Sequence, residues 1–375
     1  MSQWPMVKLG DFLTQVDNLV AVTNPEEETF VTVKNHGRGA VKRNISDGKI
    51  PQMKSGYRVS AGQYIVSRID ARNGSFAIVP PSLDGAVVSK DFPVFEIDKT
   101  RIDSSYFLEF SRSERLESMV KLLSFGATNR QRIKIPEFLN IQIPLPPLEE
   151  QRRIAKILQH STFSIDSSWR EIELLHNLRN SQFVPSNTSE KVHLDELVTV
   201  QSGQVDPTLP DHQNQLHVAP DSIKSNNSTF NEIRTCAEDA VISGKYKFSA
   251  GDILYSKIRP YLNKVAIPSF DGVCSADMYV IKPKSGISAE YVRAILMSPH
   301  FLAYAEKESG RASIPKINRK ALLSYKLPKP SEEDISVTTT RIREIDNAIA
   351  KMTKRMRLVE ELHRSLATRA FAGQL

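Results

Sequence analysis

Pro144-Leu145-Pro146-Pro147-Leu148-Glu149-Glu150-Gln151-Arg152-Arg153-Ile154-Ala155-Lys156-Ile157-Leu158 divides the texture of the chain in two. After it the pattern is purely helical. Prolines stand at or before the first turn, where a missing N–H is harmless, and Glu149 and Glu150 occupy the positive end of the helix dipole. Apolar or small residues then recur on two series spaced by seven, Leu158, Ile165 and Ile172, and Ile154, Ser161, Ser168 and Leu175. A second such stretch opens with Ser331-Glu332-Glu333-Asp334, close to a capping box. It carries Ile335, Ile342, Ile349 and Met356 on one series and Ile345, Met352, Val359 and Leu366 on the other. Two series offset by three make a heptad seam. Helices of roughly 35 to 40 residues would extend over about 50 Å, well beyond one small globule. The spacing therefore predicts two long helices packed on each other through Leu158, Ile165, Ile172, Ile342, Ile345, Ile349, Met352, Met356 and Val359.

Working outward from the two helices, the chain is duplicated. Leu9-Gly10-Asp11-Phe12-Leu13 resembles Leu194-Asp195-Glu196-Leu197-Val198, and Ala61–Ile69 matches Ala250–Ile258. Gly126–Ile133 matches Gly310–Ile317, Ile143–Pro146 matches Leu327–Pro330, and Asn180–Phe183 stands where Thr368–Phe371 does. The offsets, 185, 189, 184, 184 and 188, keep one order and nearly one value, which means two tandem copies of the same unit.

Ahead of its long helix, each copy carries short β-branched and aromatic runs punctuated by Gly, Pro and Asp. Tyr64-Ile65-Val66, Phe76-Ala77-Ile78-Val79 and Val94-Phe95-Glu96-Ile97 read as strands, as do Ile253-Leu254-Tyr255, Lys264-Val265-Ala266-Ile267 and Met278-Tyr279-Val280-Ile281. One amphipathic helix follows in each copy, at about 104–123 and 288–307. Two copies of globule plus helix bury like faces most simply about a pseudo-twofold axis, which makes the long helices antiparallel. The expected fold is α+β: two pseudo-twofold-related mixed α/β globular domains separated by a pair of long antiparallel coiled-coil helices. The expected boundaries are 1–146 and 185–329 for the globules and 147–184 and 330–375 for the helices, with one globule at each end of a rod.

Composition narrows the function. With 375 residues, 40% apolar and 25% charged, and a mean hydropathy of −0.32, the chain has an ordinary globular make-up rather than a disordered one. No apolar run approaches the ~18 residues of a spanning helix, and MSQWPMVKLGDF lacks a signal-peptide core, so neither a membrane nor a secreted protein is expected. Cys236 and Cys274 are too few for a disulfide framework and fit a reducing compartment. A net charge of +7 suits a polyanionic partner.

That charge has a location. Lys34, Arg38, Lys42, Arg43, Lys49, Lys54, Arg58, Arg68 and Arg72 lie within 34–72 against only Asp47 and Asp70, interleaved with Asn35, Asn44, Gln52, Tyr57 and Asn73. The matching part of the second copy holds Lys245, Lys247, Lys257, Arg259 and Lys264 with Tyr246, Tyr261 and Asn263. The loops at 126–134 and 310–320 add Arg130, Arg132, Lys134, Arg311, Lys316, Arg319 and Lys320, and no acid. Arg and Lys neutralise phosphates and read guanine, and Asn and Gln read adenine. A solvated basic face explains any single cluster; recurrence at matching positions favours DNA.

No motif carries chemistry. There is no Asp/Asn-Pro-Pro-aromatic sequence for amino-group methylation, no glycine-rich loop for S-adenosylmethionine or a nucleotide, and no Walker pattern. Pro220-Asp221 is followed by Lys224 but by no nuclease-like Glu-x-Lys. His212 and His217 with Asp211 and Asp221 come nearest to metal-ligand spacing, yet stand in a polar loop without a full ligand set, so no metal site is expected. The chain is expected to catalyse nothing alone.

The segment from Pro144 to Leu158 strongly resembles the start of the central conserved helix of type I restriction–modification specificity (S) subunits, and Ala370-Phe371-Ala372-Gly373-Gln374-Leu375 looks like that family's C-terminal signature. The resemblance covers the whole chain as target-recognition domain, spacer helix, target-recognition domain, spacer helix. The second copy departs from it: Lys329 and Ser331 replace Leu145 and Pro147, and Ile335 stands where Gln151 does. The resemblance implies a DNA-recognition subunit whose two domains each read half of a bipartite duplex site. It also implies two methyltransferase subunits that methylate adenine N6, and nuclease/translocase subunits in a larger complex. S-adenosylmethionine, ATP and Mg would bind those partners and no cofactor this chain, and the setting would be a bacterial or archaeal cytoplasm. The alternatives are a non-catalytic adaptor whose basic globules bind RNA or protein, a specificity subunit of a related methylation-based defence system, and an enzyme joining recognition and methylation in one chain. The last needs the missing catalytic motif.

Overall fold

The computed structural model describes residues 4–43, 51, 53–125, 132–310 and 313–375. By its contacts the chain divides into two compact units, Met1–Ser168 with Arg355–Leu375, and Trp169–Lys354.

In the first unit a four-stranded antiparallel sheet runs in the order Leu13–Val16, Val94–Ile97, Tyr64–Val66, Phe76–Ile78. Its central strand Tyr64-Ile65-Val66 is buried on both faces, which is why it reads as an unbroken apolar run rather than an alternation. Tyr64 and Val66 enter a core with Phe107, Phe110 and Phe138, while Ile65 enters a second one with Val33, Val79 and Val88. The second unit repeats the arrangement with Val198–Val200, Met278–Pro283, Ile253–Ser256 and Val265–Ala266. There Ile253 and Tyr255 face one core and Leu254 the other. A two-strand clasp closes each copy, Met6–Lys8 with Gln142–Pro144 and Lys191–His193 with Lys326–Pro328. The remaining strands differ. The first unit has a three-stranded sheet (Leu19–Ala21, Ser55–Arg58, Val87–Val88) and a separate pair (Val31–Val33, Ala40–Lys42). The second has one four-stranded sheet in which Leu216–Val218 pairs in parallel with Gly272–Cys274.

The single helices expected near 104–123 and 288–307 are each two helices. Ser104–Ser111 is followed by Glu114–Leu122, and Ala289–Met297 by Pro299–Glu308. Ser298 precedes a proline, which drives its backbone to the extended region (φ −67°, ψ 148°), and its hydroxyl accepts from the Phe301 N–H to start the next helix. Ser113 is extended as well, and its hydroxyl donates to the Phe110 carbonyl at 2.6 Å. Apolar spacing continues across both breaks, which hides them from a periodicity reading.

The long helices are Leu148–Asn180 and Glu332–Phe371. Gln151, almost fully buried, anchors the first one. Its side-chain carbonyl accepts from the Asp103 N–H (2.7 Å), and its amide donates to the Pro146 and Arg101 carbonyls (2.8 and 3.2 Å). Ile335 does without these bonds, packing against the second unit's apolar core instead. The expected capping box of the second helix forms, with Asp334 N–H donating to Ser331 Oγ and Ser331 N–H to the Asp334 carboxylate. Each unit holds the beginning of one long helix beside the end of the other. In the first, Arg153 donates to the Leu375 carbonyl (2.8 Å), Ser161 Oγ lies 2.8 Å from His363 Nδ1, and Phe371 packs edge-on against Tyr106 and Phe110. In the second, Arg179 pairs with Asp346 and Phe183 packs edge-on against Tyr291. The segments run antiparallel in both. Leu158, Ile172, Ile342, Ile349 and Met356 are buried, and Ile165, Ile345, Met352 and Val359 partly so. Among the described residues, no helix is long and apolar enough to cross a membrane.

Candidate nucleic-acid interface

The fold brings together basic segments that lie far apart in sequence, and does so the same way in both units. In the first, the chain leaves the strand Tyr64–Val66 at Arg68, whose N–H donates to the Asp91 carbonyl (2.8 Å) and whose carbonyl accepts from the Ile133 N–H (3.0 Å). Arg132 closes the contact by pairing with the Asp91 carboxylate at 2.9 Å. In the second, the Lys257 N–H donates to the Asp277 carbonyl (3.1 Å), the Lys257 carbonyl accepts from the Ile317 N–H (2.9 Å), and Lys316 pairs with Asp277 at 3.3 Å. Arg68 and Lys257, Asp91 and Asp277, Arg132 and Lys316 are therefore equivalent. The aspartates were missed because the basic loops themselves hold no acid. Their signal was present in the matched stretches Ser89-Lys90-Asp91-Phe92 and Ser275-Ala276-Asp277-Met278.

A turn docks beside each loop pair. In the first unit His36 N–H donates to the Asn73 carbonyl (2.8 Å) and Gly37 N–H to the Gly74 carbonyl (2.7 Å). This sets Arg38, partly exposed Arg72 and Asn73, Arg68 and Arg132 on one connected group of loops. His36, Gly37 and Gly74 all have φ near +60°, and a Cβ on Gly74 would lie 3.1 Å from the His36 Cα. Glycine is what lets the two turns approach. In the second unit Asn226 N–H donates to the Asn263 carbonyl (3.2 Å), and both residues are left-handed. The 3-10 turn Pro260–Leu262 between left-handed Arg259 and Asn263 exposes Arg259 and half-exposed Tyr261, and Arg259 N–H donates to the Pro315 carbonyl (2.7 Å).

The crowded cations affect one another. Burial and then the Lys316 charge hold the Lys257 ammonium below its ordinary pKa, and Lys257 lies 5.3 Å from the Tyr279 ring centre. Burial, against the attraction of Asp221 and with the repulsion of Arg259, lowers Lys264, whose ammonium donates to the Pro220 carbonyl (2.7 Å). Like-charged groups held together without full compensation favour an incoming anion.

Other expected site residues lie elsewhere. Lys42 and Arg43 are exposed at the end of the Ala40–Lys42 strand, Lys54 immediately precedes the Ser55–Arg58 strand, and Tyr57 belongs to it within the three-stranded sheet. Arg58, in that sheet, donates to both oxygens of Glu28 (2.7 and 3.2 Å) and to the Gly85 carbonyl, so its guanidinium is already engaged within the fold. Lys245 requires correction as a surface contact. It is 3% exposed, and its ammonium bonds the carbonyl and hydroxyl of Ser243, which makes it part of the core wall. Tyr246 and exposed Lys247 follow it on the Tyr246–Phe248 strand. Arg319 donates to the Val200 carbonyl (2.8 Å). Arg130 and Arg311 lie outside the described residues, as do Asn44, Lys49 and Gln52. His217 Nδ1 sits 2.8 Å from Asp239. Among the described residues no group of three or more His, Cys, Asp or Glu side chains is placed to hold a metal.

A family model described as type I restriction modification DNA specificity domain matches residues 1–173 and again 187–360. Among curated proteins, the type I restriction enzyme EcoDI specificity subunit of Escherichia coli is 33% identical over 214 residues, 54% of this chain and 46% of that one. The type I restriction enzyme MjaVIII specificity subunit of Methanocaldococcus jannaschii is 24% identical over 309 residues, 74% of this chain and 72% of that one. The match to the first of these thus spans about half of that relative's length. Among solved structures, the type I restriction–modification system S subunit from M. genitalium superposes with a TM-score of 0.51 at 13% identity, covering 99% of this chain and 96% of that one. That is a likeness of fold.

Proposed function

The chain belongs to the type I restriction modification DNA specificity family, and from that premise we propose that it is the sequence-reading subunit of a type I restriction–modification complex. Each globule reads one half of a bipartite duplex site. The observation that carries this reading is the duplicated basic loop pair, Arg68 and Arg132 about Asp91, Lys257 and Lys316 about Asp277. The aspartate fixes the two loops of each pair while the cations around it reach phosphates, and Asn73 and the arginines offer the donors that read adenine and guanine edges. The contact set comprises Arg38, Arg68, Arg72, Asn73 and Arg132 in the first globule and Lys257, Arg259, Tyr261, Lys264, Lys316 and Arg319 in the second. Arg130 and Arg311 join by their place in the same loops; Lys42, Arg43, Lys54, Tyr57, Tyr246 and Lys247 are outlying phosphate contacts.

The proposal takes 1–146 and 185–329 as the target-recognition domains and 147–184 and 330–375 as spacer helices, paired as an antiparallel coiled coil along their length. Support comes from the heptad-spaced burial at Leu158, Ile172, Ile342, Ile349 and Met356 and from the antiparallel contacts within each unit. Two methyltransferase subunits dock on the spacers, and nuclease/translocase subunits join the larger assembly in the bacterial or archaeal cytoplasm. S-adenosylmethionine, ATP and Mg belong to those partners; this chain contributes specificity and no catalytic group. Sequencing N6-methyladenine in cells with and without the gene tests the reading. A bipartite motif methylated only when the gene is present is the expected result; identical methylomes with the methyltransferase subunits expressed would refute it.

A further inference from the structure

We infer that Arg112 and Arg179 are positioning residues that hold the recognition turns of the two globules in register; the inference rests on the DNA-reading role proposed above. In the first unit Arg112 Nε donates to the Gly37 carbonyl (2.8 Å) and Nη1 to the Glu109 carboxylate (3.1 Å), and the other Glu109 oxygen accepts from Thr162 of the first long helix (2.9 Å). The turn His36-Gly37-Arg38 is thereby tied to the helical frame by one guanidinium, and its own N–H groups dock on Asn73 and Gly74. In the second unit Arg179, at the end of the same long helix, donates to the Asn227 carbonyl (2.8 Å) and to Asp346 (2.8 Å). Asn180 adds a bond to the Asn226 carbonyl (2.6 Å), and Asn226 docks on Asn263.

The parts come from different places in the two repeats, yet the construction is one. A carboxylate, buried in Glu109 and partly buried in Asp346, orients an arginine, and the arginine grips a carbonyl of a left-handed turn. That turn lies against the loop carrying the candidate base-reading residues, Arg72 and Asn73 in one globule, Arg259 and Tyr261 in the other. A guanidinium donates in several fixed directions at once, so it can hold a carboxylate and a carbonyl at a set separation, as an ammonium cannot. Base readout depends on placing donors to within fractions of an ångström, whereas phosphate attraction does not. Loosening the turn therefore degrades discrimination within one half-site and leaves the other half untouched.

The test maps N6-methyladenine in cells whose gene carries Arg112→Ala, Gly37→Ala or Arg179→Ala. Gly37→Ala acts at the buried glycine of the turn itself, where a Cβ would lie 2.3 Å from the Arg112 Cγ, and so separates the turn from its arginine while leaving the guanidinium in place. With Arg112→Ala or Gly37→Ala, sites carrying one mismatch in the first globule's half should gain methylation about tenfold, since a mismatch ordinarily costs about 1–3 kcal/mol. The other half should keep its wild-type selectivity. Arg179→Ala should do the reverse. Equal loss of methylation at all sites, or unchanged selectivity in both halves for Gly37→Ala, would overturn the positioning role while the DNA-reading role stands. A wild-type gene that directs methylation to no motif would overturn both.

Discussion

Glu109, buried, and Asp346, partly buried, are both arginine-paired carboxylates, and they settle in opposite directions. Burial raises the pKa of Glu109, and the nearby Arg112 charge and the Thr162 hydroxyl do not offset it, so this group lies above the usual carboxylate range. Burial also works against Asp346, but the Arg293 charge and the hydrogen bonds from Arg179 and Arg293 prevail, and it lies below that range. Two guanidiniums against one decide the sign. The depressed group, Asp346, contributes stability above the ordinary carboxylate pKa and loses it as pH falls through its folded value; the raised group, Glu109, contributes most below its unfolded pKa and less as pH rises. Asp346→Asn should thus cost on the order of 2 kcal/mol at neutral pH, with the side chain partly exposed, and progressively less in acid. Glu109→Gln keeps one acceptor oxygen for Arg112 and turns its amide N–H to the Thr162 hydroxyl, which can accept in place of donating, so it should stay within about 1 kcal/mol of wild type at neutral pH. Urea unfolding of the full chain at neutral and mildly acidic pH measures both; an Asp346→Asn penalty that grew in acid would contradict the sign.

At the scale of elements, the Pro-Pro-Leu-Glu-Glu-Gln start and the heptad series of the long helices were legible because caps and periodicity are local properties. The breaks at Ser113 and Ser298 were not, because each serine sits inside an apolar repeat that continues on both sides. If the first long helix spaces the recognition domains, its length sets the gap between half-sites. Four residues inserted at Ser168 add about 6 Å and roughly one turn, preserving the buried face. With DNA rising about 3.4 Å per base pair, the preferred spacer should lengthen by one or two base pairs while the bases read in each half stay the same. An active mutant with an unchanged spacer in its methylome would show that another element sets the distance.

Taken whole, the chain is a duplication in which the four-stranded sheets, clasps, paired helices and aspartate-closed basic loops recur while the outer sheets diverge. The shared parts build the frame and the divergent ones vary the surface. Exchanging residues 1–143 for the matching segment of another family member should therefore replace one half of the recognised site and leave the other as it was. A change in both halves would mean that the globules share a reading surface. The charge of +7 is concentrated on the loops assigned to phosphates. Binding by the assembled complex should fall steeply with salt, each phosphate contact adding about −0.9 to the log–log slope. A flat response would remove DNA from those loops.

The sequence by itself determined the duplication, the two long helices with their caps, three of the four strands in each repeated sheet and the list of basic residues. All of these are carried by local pattern or by repetition at a fixed offset. Only the tertiary structure decided which cations stand together and which are withdrawn. Arg68 and Arg132 come together because backbone bonds from Arg68 to Asp91 and from Ile133 to Arg68 close a separation of 64 residues, and Lys245 is withdrawn because its ammonium donates to the carbonyl and hydroxyl of Ser243. Arg112 and Arg179 have no distinguishing mark in sequence, and the matched stretches around Asp91 and Asp277 mark the two aspartates as equivalent without saying what they bind. Their roles arise from what long-range packing places within hydrogen-bonding distance of them, and no local rule of composition or spacing encodes that.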